Sequence, residues 1–115
     1  MITRIKAGPR MSQAVVHGNT VYLAGQVASN RSADTAGQTR EILASIDGLL
    51  AEAGTDKSHL LAATIYLADM GTFNEMNAVW DAWVAPGSAP ARATVGAPLA
   101  SSAYRVEIVI TAARP

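Results

Sequence analysis

Two stretches of the sequence carry apolar residues at helical spacing, and they limit the folds open to the chain. The first predicts a helix over about Thr35 to Ala53, because Gly54 is a natural C-terminal cap. The second predicts a helix that begins at Thr72 and ends at Pro86-Gly87. Thr72 and Glu75 have the spacing of a capping box, in which each side chain satisfies a backbone N–H of the first turn. The apolar stripes are Ile42, Leu43, Ile46, Leu49, Leu50 and Ala53 in the first helix and Phe73, Met76, Trp80, Trp83 and Val84 in the second.

The remaining chain contains short β-forming runs, which predict a sheet. Two runs, Ala14 to His17 and Thr20 to Ala24, flank Gly18-Asn19, a pair that can adopt the positive φ angles of a tight turn, and this indicates a β-hairpin. Leu60 to Leu67 suits a central strand, because both of its alternating faces are mostly apolar. One of those faces is predicted to carry Leu61, Ala63, Ile65 and Leu67. The other expected strands are Ala91 to Ala97, Tyr104 to Ala112 and a short leading strand at Thr3 to Ile5.

Two amphipathic helices can cover only one face of such a sheet. A chain of 115 residues has room for one α+β domain, residues 1–115, and for no second domain. Half of its residues are apolar and only 16% are charged, which is little charge for so small a body. We therefore expect the uncovered face to meet water, a ligand or another subunit.

Composition excludes several functions. Nine basic and nine acidic residues leave no positive surface of the kind that binds nucleic acid. The chain has no cysteine for a disulfide, thiol nucleophile or thiolate metal site, and His17 and His59 are too scattered for a metal cluster or a nucleophile-and-base pair. No signal peptide or membrane-spanning stretch is evident, so we expect a cytoplasmic protein that does not contact membranes.

Strand alternation brings candidate functional residues together. In the last strand Glu107 lies opposite the apolar residues that belong under the helices, and in the preceding strand Arg92 and Thr94 alternate with small apolar residues. This pattern predicts that Arg92, Thr94 and Glu107 share the face away from the helices. A guanidinium matches a ligand carboxylate, and a nearby glutamate can orient or deprotonate a water. The alternative is that Arg92 and Glu107 pair with each other or stay solvated. Asn77, on the buried side of the second helix, is expected to bind a loop carbonyl.

Several short motifs, taken together, resemble the YjgF/YER057c/UK114 family, also called the Rid family of reactive-intermediate deaminases. The resemblance covers nearly the whole chain. It rests above all on Pro90-Ala91-Arg92-Ala93 occurring together with Val106-Glu107-Ile108. Further pieces are Ser12-Gln13-Ala14-Val15, Tyr22-Leu23-Ala24-Gly25-Gln26, Tyr66-Leu67-Ala68-Asp69-Met70 and Phe73-Asn74-Glu75-Met76-Asn77.

The resemblance implies a chorismate-mutase-like α+β fold with both helices on one face of a mixed sheet. It also implies a homotrimer whose sheets form a central barrel, with ligand clefts between adjacent subunits. The implied reaction is the hydrolysis of enamine or imine intermediates such as 2-aminoacrylate to 2-keto acids and ammonia, with no metal or organic cofactor. By position, Arg92 would bind the substrate carboxylate and Glu107 would position the attacking water, while Asn77 and Thr94 would line the cleft.

Two positions depart from the family pattern. Met11 stands where the cleft tyrosine is expected, and Ala24 stands where a serine precedes Gly-Gln. The loss of these polar groups leaves a second reading open, in which the chain binds or senses a keto acid without turning it over. An endoribonuclease, the activity attributed to some relatives, is the least favoured reading, because the chain has no net charge and no histidine pair.

Overall fold

All six strands of the chain join one sheet, which carries both helices on a single face. The computed structural model describes residues 1–115. The strands are β1 (Ile2–Ala7), β2 (Ser12–His17), β3 (Thr20–Leu23), β4 (Leu60–Leu67), β5 (Ala91–Gly96) and β6 (Val106–Ala113), and the helices are α1 (Thr35–Glu52) and α2 (Phe73–Trp83). The strand order is β1-β2-β3-β6-β4-β5, and only the β4–β5 pair is parallel. The predicted mixed sheet of the α+β class is confirmed.

The predicted β-hairpin is present in β2 and β3. His17 pairs with Thr20, and Gly18 in the turn between them has φ of +61°, a value that glycine adopts at little cost. The leading strand β1 is longer than the short segment predicted, because it pairs with the full length of β2. The hairpin thereby becomes a three-stranded antiparallel unit at one end of the sheet.

The helix α1 follows its predicted range, and its apolar stripe supplies six of the 21 buried residues of the hydrophobic core. The Asp34 side chain accepts a hydrogen bond from Gly37 N and so caps the helix N-terminus. All six apolar residues of the predicted stripe are buried. Gln38 is also fully buried, and its amide forms three hydrogen bonds that tie α1 to neighbouring loops. Because every polar group of this amide is paired, its burial costs little.

The predicted capping box of α2 is wrong. A short 3-10 turn, Met70–Thr72, precedes the helix, and Thr72 has φ of −94° and ψ of 11°, outside the extended region that an N-cap side chain requires. The Thr72 hydroxyl donates instead to the Asp69 carbonyl oxygen. The Glu75 carboxylate accepts from Ala36 N at the start of α1. Glu75 therefore joins the two helices, with its negative charge at the positive end of α1.

The strand β4 lies inside the sheet, as predicted, between β6 and β5. Its register against β6 shifts between Leu60 and Ala62. Leu60 is therefore buried with Ala63, Ile65 and Leu67, whereas the Leu61 side chain is 49% exposed. The alternation predicted for this strand is wrong at Leu61, because regular alternation cannot anticipate such an irregularity.

The face of the sheet opposite the helices is covered by nothing in the chain. We call it the uncovered face and define it by Val15, Tyr22, Ala62, Thr64, Tyr66, Ala91, Ala93, Val95, Glu107, Val109 and Thr111, which the strand register places on one side. Tyr22 is 49% exposed and Val95 is 41% exposed. Glu107 is the one carboxylate of this set, and the register places Arg4 of β1 on the same side, opposite Val15. Neither helix is long and apolar enough to cross a lipid bilayer.

Candidate functional site: two half-sites on opposite faces of the sheet

Arg92 and Thr94 lie on the helix-covered side of the sheet. In β5 they pair with Ala63 and Ile65 of β4, which are buried under the helices. Directly paired residues of neighbouring strands project to the same side. The prediction that Arg92 and Thr94 share the face of Glu107 is therefore wrong. Alternation within a strand separates its two sets of residues, but it does not say which set the helices cover when both sets are small.

Glu107 lies on the uncovered face, as predicted. It pairs with Tyr66 of β4, and Tyr66 in turn pairs with Val95 of β5. Its neighbours in β6, Val106 and Ile108, are fully buried under the helices. Within one chain, the sheet itself thus separates Glu107 from Arg92.

The guanidinium of Arg92 rests against two aromatic rings of α2. Its Cζ atom lies 5.4 Å from the ring centroid of Trp80 and 6.0 Å from that of Phe73. Both distances suit an attraction between a cation and the face of a ring. The ion pairs of the chain are Lys6 with Glu52 and His59 with Asp56, so Arg92 has no carboxylate partner.

The alternative reading of Arg92 and Glu107 as an ion pair within the chain is thereby excluded. No side-chain hydrogen bond involves the guanidinium either, and its N–H donors are free to receive a ligand. An arginine presents five such donors in a planar fork.

Asn77 and Thr94 bring unpaired polar atoms to the same region. Asn77 lies between Phe73 and Trp80 on one face of α2, at spacings of four and three residues. Asn77 Oδ1 and Thr94 Oγ1 are both buried without a hydrogen-bond partner. The predicted bond of Asn77 to a loop carbonyl is absent. Buried polar atoms are rarely left unpaired, so this pair of atoms points to a missing ligand or solvent partner. We call Phe73, Asn77, Trp80, Arg92 and Thr94 the arginine half-site.

Glu107 is fixed against the segment that follows β3. Gln26 N donates to Ile108 O at 2.9 Å, and Ile108 N donates to Gln26 O at 3.1 Å. This bridge brings Gly25 against the Glu107 side chain so closely that a Cβ atom at Gly25 would overlap Glu107 Oε2. The Gln26 amide donates to Ala24 O at 3.0 Å and so holds the segment in place. Glycine at position 25 is thus a condition for the observed carboxylate position.

Ala24 directly precedes Gly25, and the family resemblance implies that Met11 lines the same cleft. Ala24 N donates to Gln13 O at 2.9 Å, which continues the β2–β3 ladder. Met11 directly precedes β2; its carbonyl accepts from Gly8 N, and its side chain is 47% exposed. We call Met11, Ala24, Gly25 and Glu107 the glutamate half-site. The six residues predicted from the sequence therefore divide between the two half-sites, three in each.

Sequence reasoning missed the roles of Gly25, Phe73 and Trp80. Gly25 reads as an ordinary turn residue, and both aromatic residues belong to an apolar helix stripe, which is typical of core packing. The structure shows that both rings also contact the Arg92 guanidinium, which the helix stripe alone does not indicate. A cavity of about 440 Å³ between α1 and α2 includes none of the predicted site residues. The half-sites carry the more specific chemistry, because they contain a free guanidinium and unpaired buried polar atoms.

Comparisons with known proteins agree with the fold over its full length. A family model described as Endoribonuclease L-PSP matches residues 1–114. A RutC family protein of Haemophilus ducreyi is 50% identical over 113 residues, which cover 98% of this chain and 97% of the relative. The RutC family protein YoaB of Escherichia coli K12 is 50% identical over 112 residues, 97% of each chain. A crystal structure of a YjgF-family protein from Neisseria meningitidis superposes with a TM-score of 0.98 at 50% identity, covering 100% of this chain and 96% of that one.

Proposed function

The chain belongs to the YjgF/YER057c/UK114 family, and from that premise we propose that it hydrolyses reactive enamine or imine intermediates. The substrates are 2-aminoacrylate-like acids, and the products are 2-keto acids and ammonia. The observation that carries the proposal is the Arg92 guanidinium, which is half-buried, free of any carboxylate partner and flanked by unpaired buried polar atoms. Such a group is suited to hold the carboxylate of a small acid.

The proposed reaction needs both half-sites, and they lie on opposite faces of one sheet. Arg92 and Glu107 can therefore act on one small substrate only where two copies of the chain meet. In this arrangement one copy presents its arginine half-site at the β5 end of the sheet, and the next copy presents its glutamate half-site. The strand register supports the cleft between subunits that the family resemblance implies, because it places the two groups on opposite sides of the sheet.

The uncovered face supports an assembly of this kind. It combines valine, tyrosine, alanine and threonine side chains with a single carboxylate, and contiguous exposed apolar surface of this sort commonly marks an interface. Three copies arranged around a central barrel of sheets would bury it and form three equivalent clefts. We take the homotrimer as the assembly within which the site operates.

Each residue has a defined task in the proposed mechanism. Arg92 binds the substrate carboxylate and fixes the imine carbon beside a water molecule. The enamine first tautomerises to the imine as a proton moves from its nitrogen to its methylene carbon. Glu107 then accepts a proton from the water as the water oxygen attacks the imine carbon, and delivers that proton to the nitrogen to give a carbinolamine. Transfer of the hydroxyl proton to the same nitrogen, as the C=O bond forms and the C–N bond breaks, releases ammonia and the 2-keto acid. Imines hydrolyse readily in water, so positioning and modest proton transfer are sufficient for useful acceleration. Water is the only co-reactant required.

A second candidate function is the binding of a keto acid without turnover. The specific observation in its favour is that two polar groups of the family pattern are absent, since Met11 and Ala24 occupy their positions in the glutamate half-site. The same arginine half-site would serve this function. The two candidates differ only in whether Glu107 transfers a proton to and from the substrate.

Subunit complementation tests the proposed site. Arg92→Ala and Glu107→Gln proteins should each lack activity, measured as pyruvate release from 2-aminoacrylate generated in solution. After the two variants are unfolded and refolded together, each mixed trimer contains one intact cleft out of three. Random 1:1 mixing should therefore restore about a quarter of wild-type activity. No recovery in mixed trimers would contradict a cleft shared between copies.

The same assay separates the candidate functions. Wild-type protein that binds pyruvate but does not accelerate its release from 2-aminoacrylate is a binding protein. An RNA cleavage assay, with Arg92→Ala as the control, addresses the activity named in the description of the matching family model. RNA cleavage by the wild type that Arg92→Ala abolishes would replace the proposed function.

A further inference from the structure

We propose that Trp80 and Phe73 are positioning residues, which hold the Arg92 guanidinium over the faces of their rings so that its N–H donors stay open to a carboxylate. This inference rests on the proposed role of Arg92 as the carboxylate-binding group. It adds two residues that do not themselves need to touch the substrate.

The physical argument begins with what usually orients an arginine. A carboxylate partner fixes the guanidinium firmly, but it occupies two N–H donors and neutralises the charge. Aromatic rings attract the same cation through their π faces and take up none of its N–H donors. Arg92 has the second environment, because its Cζ atom lies 5.4 Å and 6.0 Å from two ring centroids and no carboxylate lies within ion-pair distance.

The larger of the two rings, that of Trp80, is buried and closely packed. Trp80 is only 4% exposed, and its ring centroid lies 5.4 Å from that of Trp83, with the planes tilted by 51°. The Trp83 indole N–H donates to both Asp47 carboxylate oxygens, at 3.1 Å and 3.2 Å. The Trp80 ring therefore packs against Trp83, which is in turn hydrogen-bonded to α1. A guanidinium held against a ring that is fixed in this way loses less conformational freedom when a ligand binds.

The location on β5 makes this support necessary. β5 is the last strand of the sheet and has a neighbouring strand on one side only, and α2 brings two rings to within 6.0 Å of the Arg92 Cζ atom. Phe73 and Trp80 are seven residues apart on α2, two helical turns, and Asn77 lies between them. The helix therefore presents two rings to the arginine with an amide between them, and the ligand carboxylate is left to approach from the open side.

The test compares carboxylate binding among variants of one helix. Phe73→Leu and Trp80→Leu each remove a ring while keeping an apolar side chain. Met76→Leu is the matched control, because Met76 is fully buried on the same helix and the exchange nearly conserves volume. Pyruvate binding to the intact assembly is measured by calorimetry, and the mass of the assembly is measured by analytical ultracentrifugation.

We expect the two ring removals to weaken pyruvate binding by about two- to tenfold each, the cost of ordering an unsupported side chain when the ligand binds. The control should bind within about twofold of wild type. In the hydrolysis assay the loss should appear in KM more than in kcat, because the carboxylate contact is made in both the ground state and the transition state. Should Trp80→Leu fail to fold, the half-buried Phe73→Leu decides. A folded Phe73→Leu assembly with unchanged pyruvate affinity overturns the proposal.

Fluorescence gives a second readout that a merely structural role would not affect. In a Trp83→Phe protein Trp80 is the only tryptophan, and saturating propionate should change its emission because the anion offsets the charge of the guanidinium beside the ring. Adding Arg92→Ala should remove that response. A propionate response that survives this substitution contradicts the proposed contact.

Failure of this inference is distinct from failure of the proposed function. If pyruvate binding depends on both rings but hydrolysis is not accelerated, the positioning role stands and the hydrolase does not. If hydrolysis proceeds with a KM that neither ring affects, the hydrolase stands and the positioning role falls. If the wild-type protein binds no carboxylate, both the proposed function and the positioning role of the rings are contradicted.

Discussion

The contact between Gly25 and Glu107 makes the position of the proposed proton-transfer group testable by a single methyl group. A Cβ atom at Gly25 would overlap Glu107 Oε2 and would lie 3.0 Å from its Cδ atom and 3.3 Å from its Cγ atom. The carboxylate would have to retreat by about 1 Å to restore an ordinary carbon–oxygen contact. Gly25→Ala therefore displaces the carboxylate while leaving its charge in the protein.

The displacement sets the size of the expected effect. A misplacement of about 1 Å in a catalytic group can cost on the order of 100-fold in rate. The fold should be little affected, because Gly25 does not have a positive φ angle and the neighbouring side chain can move. We therefore expect kcat for 2-aminoacrylate hydrolysis to fall by about 10- to 100-fold. Pyruvate binding should remain near the wild-type value, because the arginine half-site is unchanged.

The matched control is the same exchange at Gly48. This glycine lies within α1, and a Cβ atom there would meet nothing within 4 Å. Gly48→Ala should keep full activity and raise the free energy of unfolding by about 0.5–1 kcal/mol, because alanine loses less backbone entropy in a helix. Steady-state kinetics and thermal unfolding of the two variants are measured side by side.

Full activity in Gly25→Ala would refute the reasoning, provided that Glu107→Gln is inactive. It would mean that the carboxylate does not act from the position it occupies beside Gly25. Loss of both activity and assembly in Gly25→Ala would place the effect in folding, and a crystal structure of the variant would then locate the carboxylate.

Three further predictions follow from other contacts. Arg92→Ala should abolish pyruvate binding and leave the trimer intact; calorimetry and ultracentrifugation check this, and unchanged affinity would mean that the ligand is held elsewhere. Gln38→Leu should lower the free energy of unfolding by about 2–5 kcal/mol in urea titrations, because three hydrogen bonds lose their buried partner; a loss below about 1 kcal/mol would contradict it. Hydrogen bonds from Ser29 N and Asn30 N lower the pKa of Glu41, so its contribution to stability is complete above the unfolded pKa and is lost as the pH falls through the lower folded pKa. The stability difference between wild type and Glu41→Gln should therefore shrink below about pH 5 in unfolding measurements, and a constant difference would contradict it.

Most of the fold could be predicted from the sequence because its signals are local. The range of α1 follows from an uninterrupted apolar stripe and a glycine at its end, and the hairpin follows from Gly18-Asn19. The capping-box prediction was wrong because the partners of these side chains are set by tertiary structure, which local residue spacing does not show. Glu75 found a partner 39 residues away, at Ala36 N, and the 3-10 turn before α2 left Thr72 without the required backbone angles.

The site could be predicted as a set of residues but not as an arrangement. The sequence identifies Arg92 and Glu107 as unusual polar residues in apolar strands. Their placement on opposite faces depends on the β4–β5 and β4–β6 registers, which are long-range pairings. A shift of one residue in either register would have brought them to the same side.

Under the proposed function, the two half-sites would differ in how far they keep the family pattern. The two departures that the family resemblance implies, Met11 and Ala24, are assigned to the glutamate half-site, whereas the Pro-Ala-Arg segment and the two rings beside Arg92 belong to the arginine half-site. In the proposed assembly these belong to different copies, on opposite walls of each cleft. In that proposed cleft, one wall would hold the carboxylate through Arg92, and the opposite wall would present apolar groups at Met11 and Ala24. The two walls come from separate parts of the chain. Substitutions in the glutamate half-site can therefore change which substrate side chains fit the cleft without altering how Arg92 binds the carboxylate.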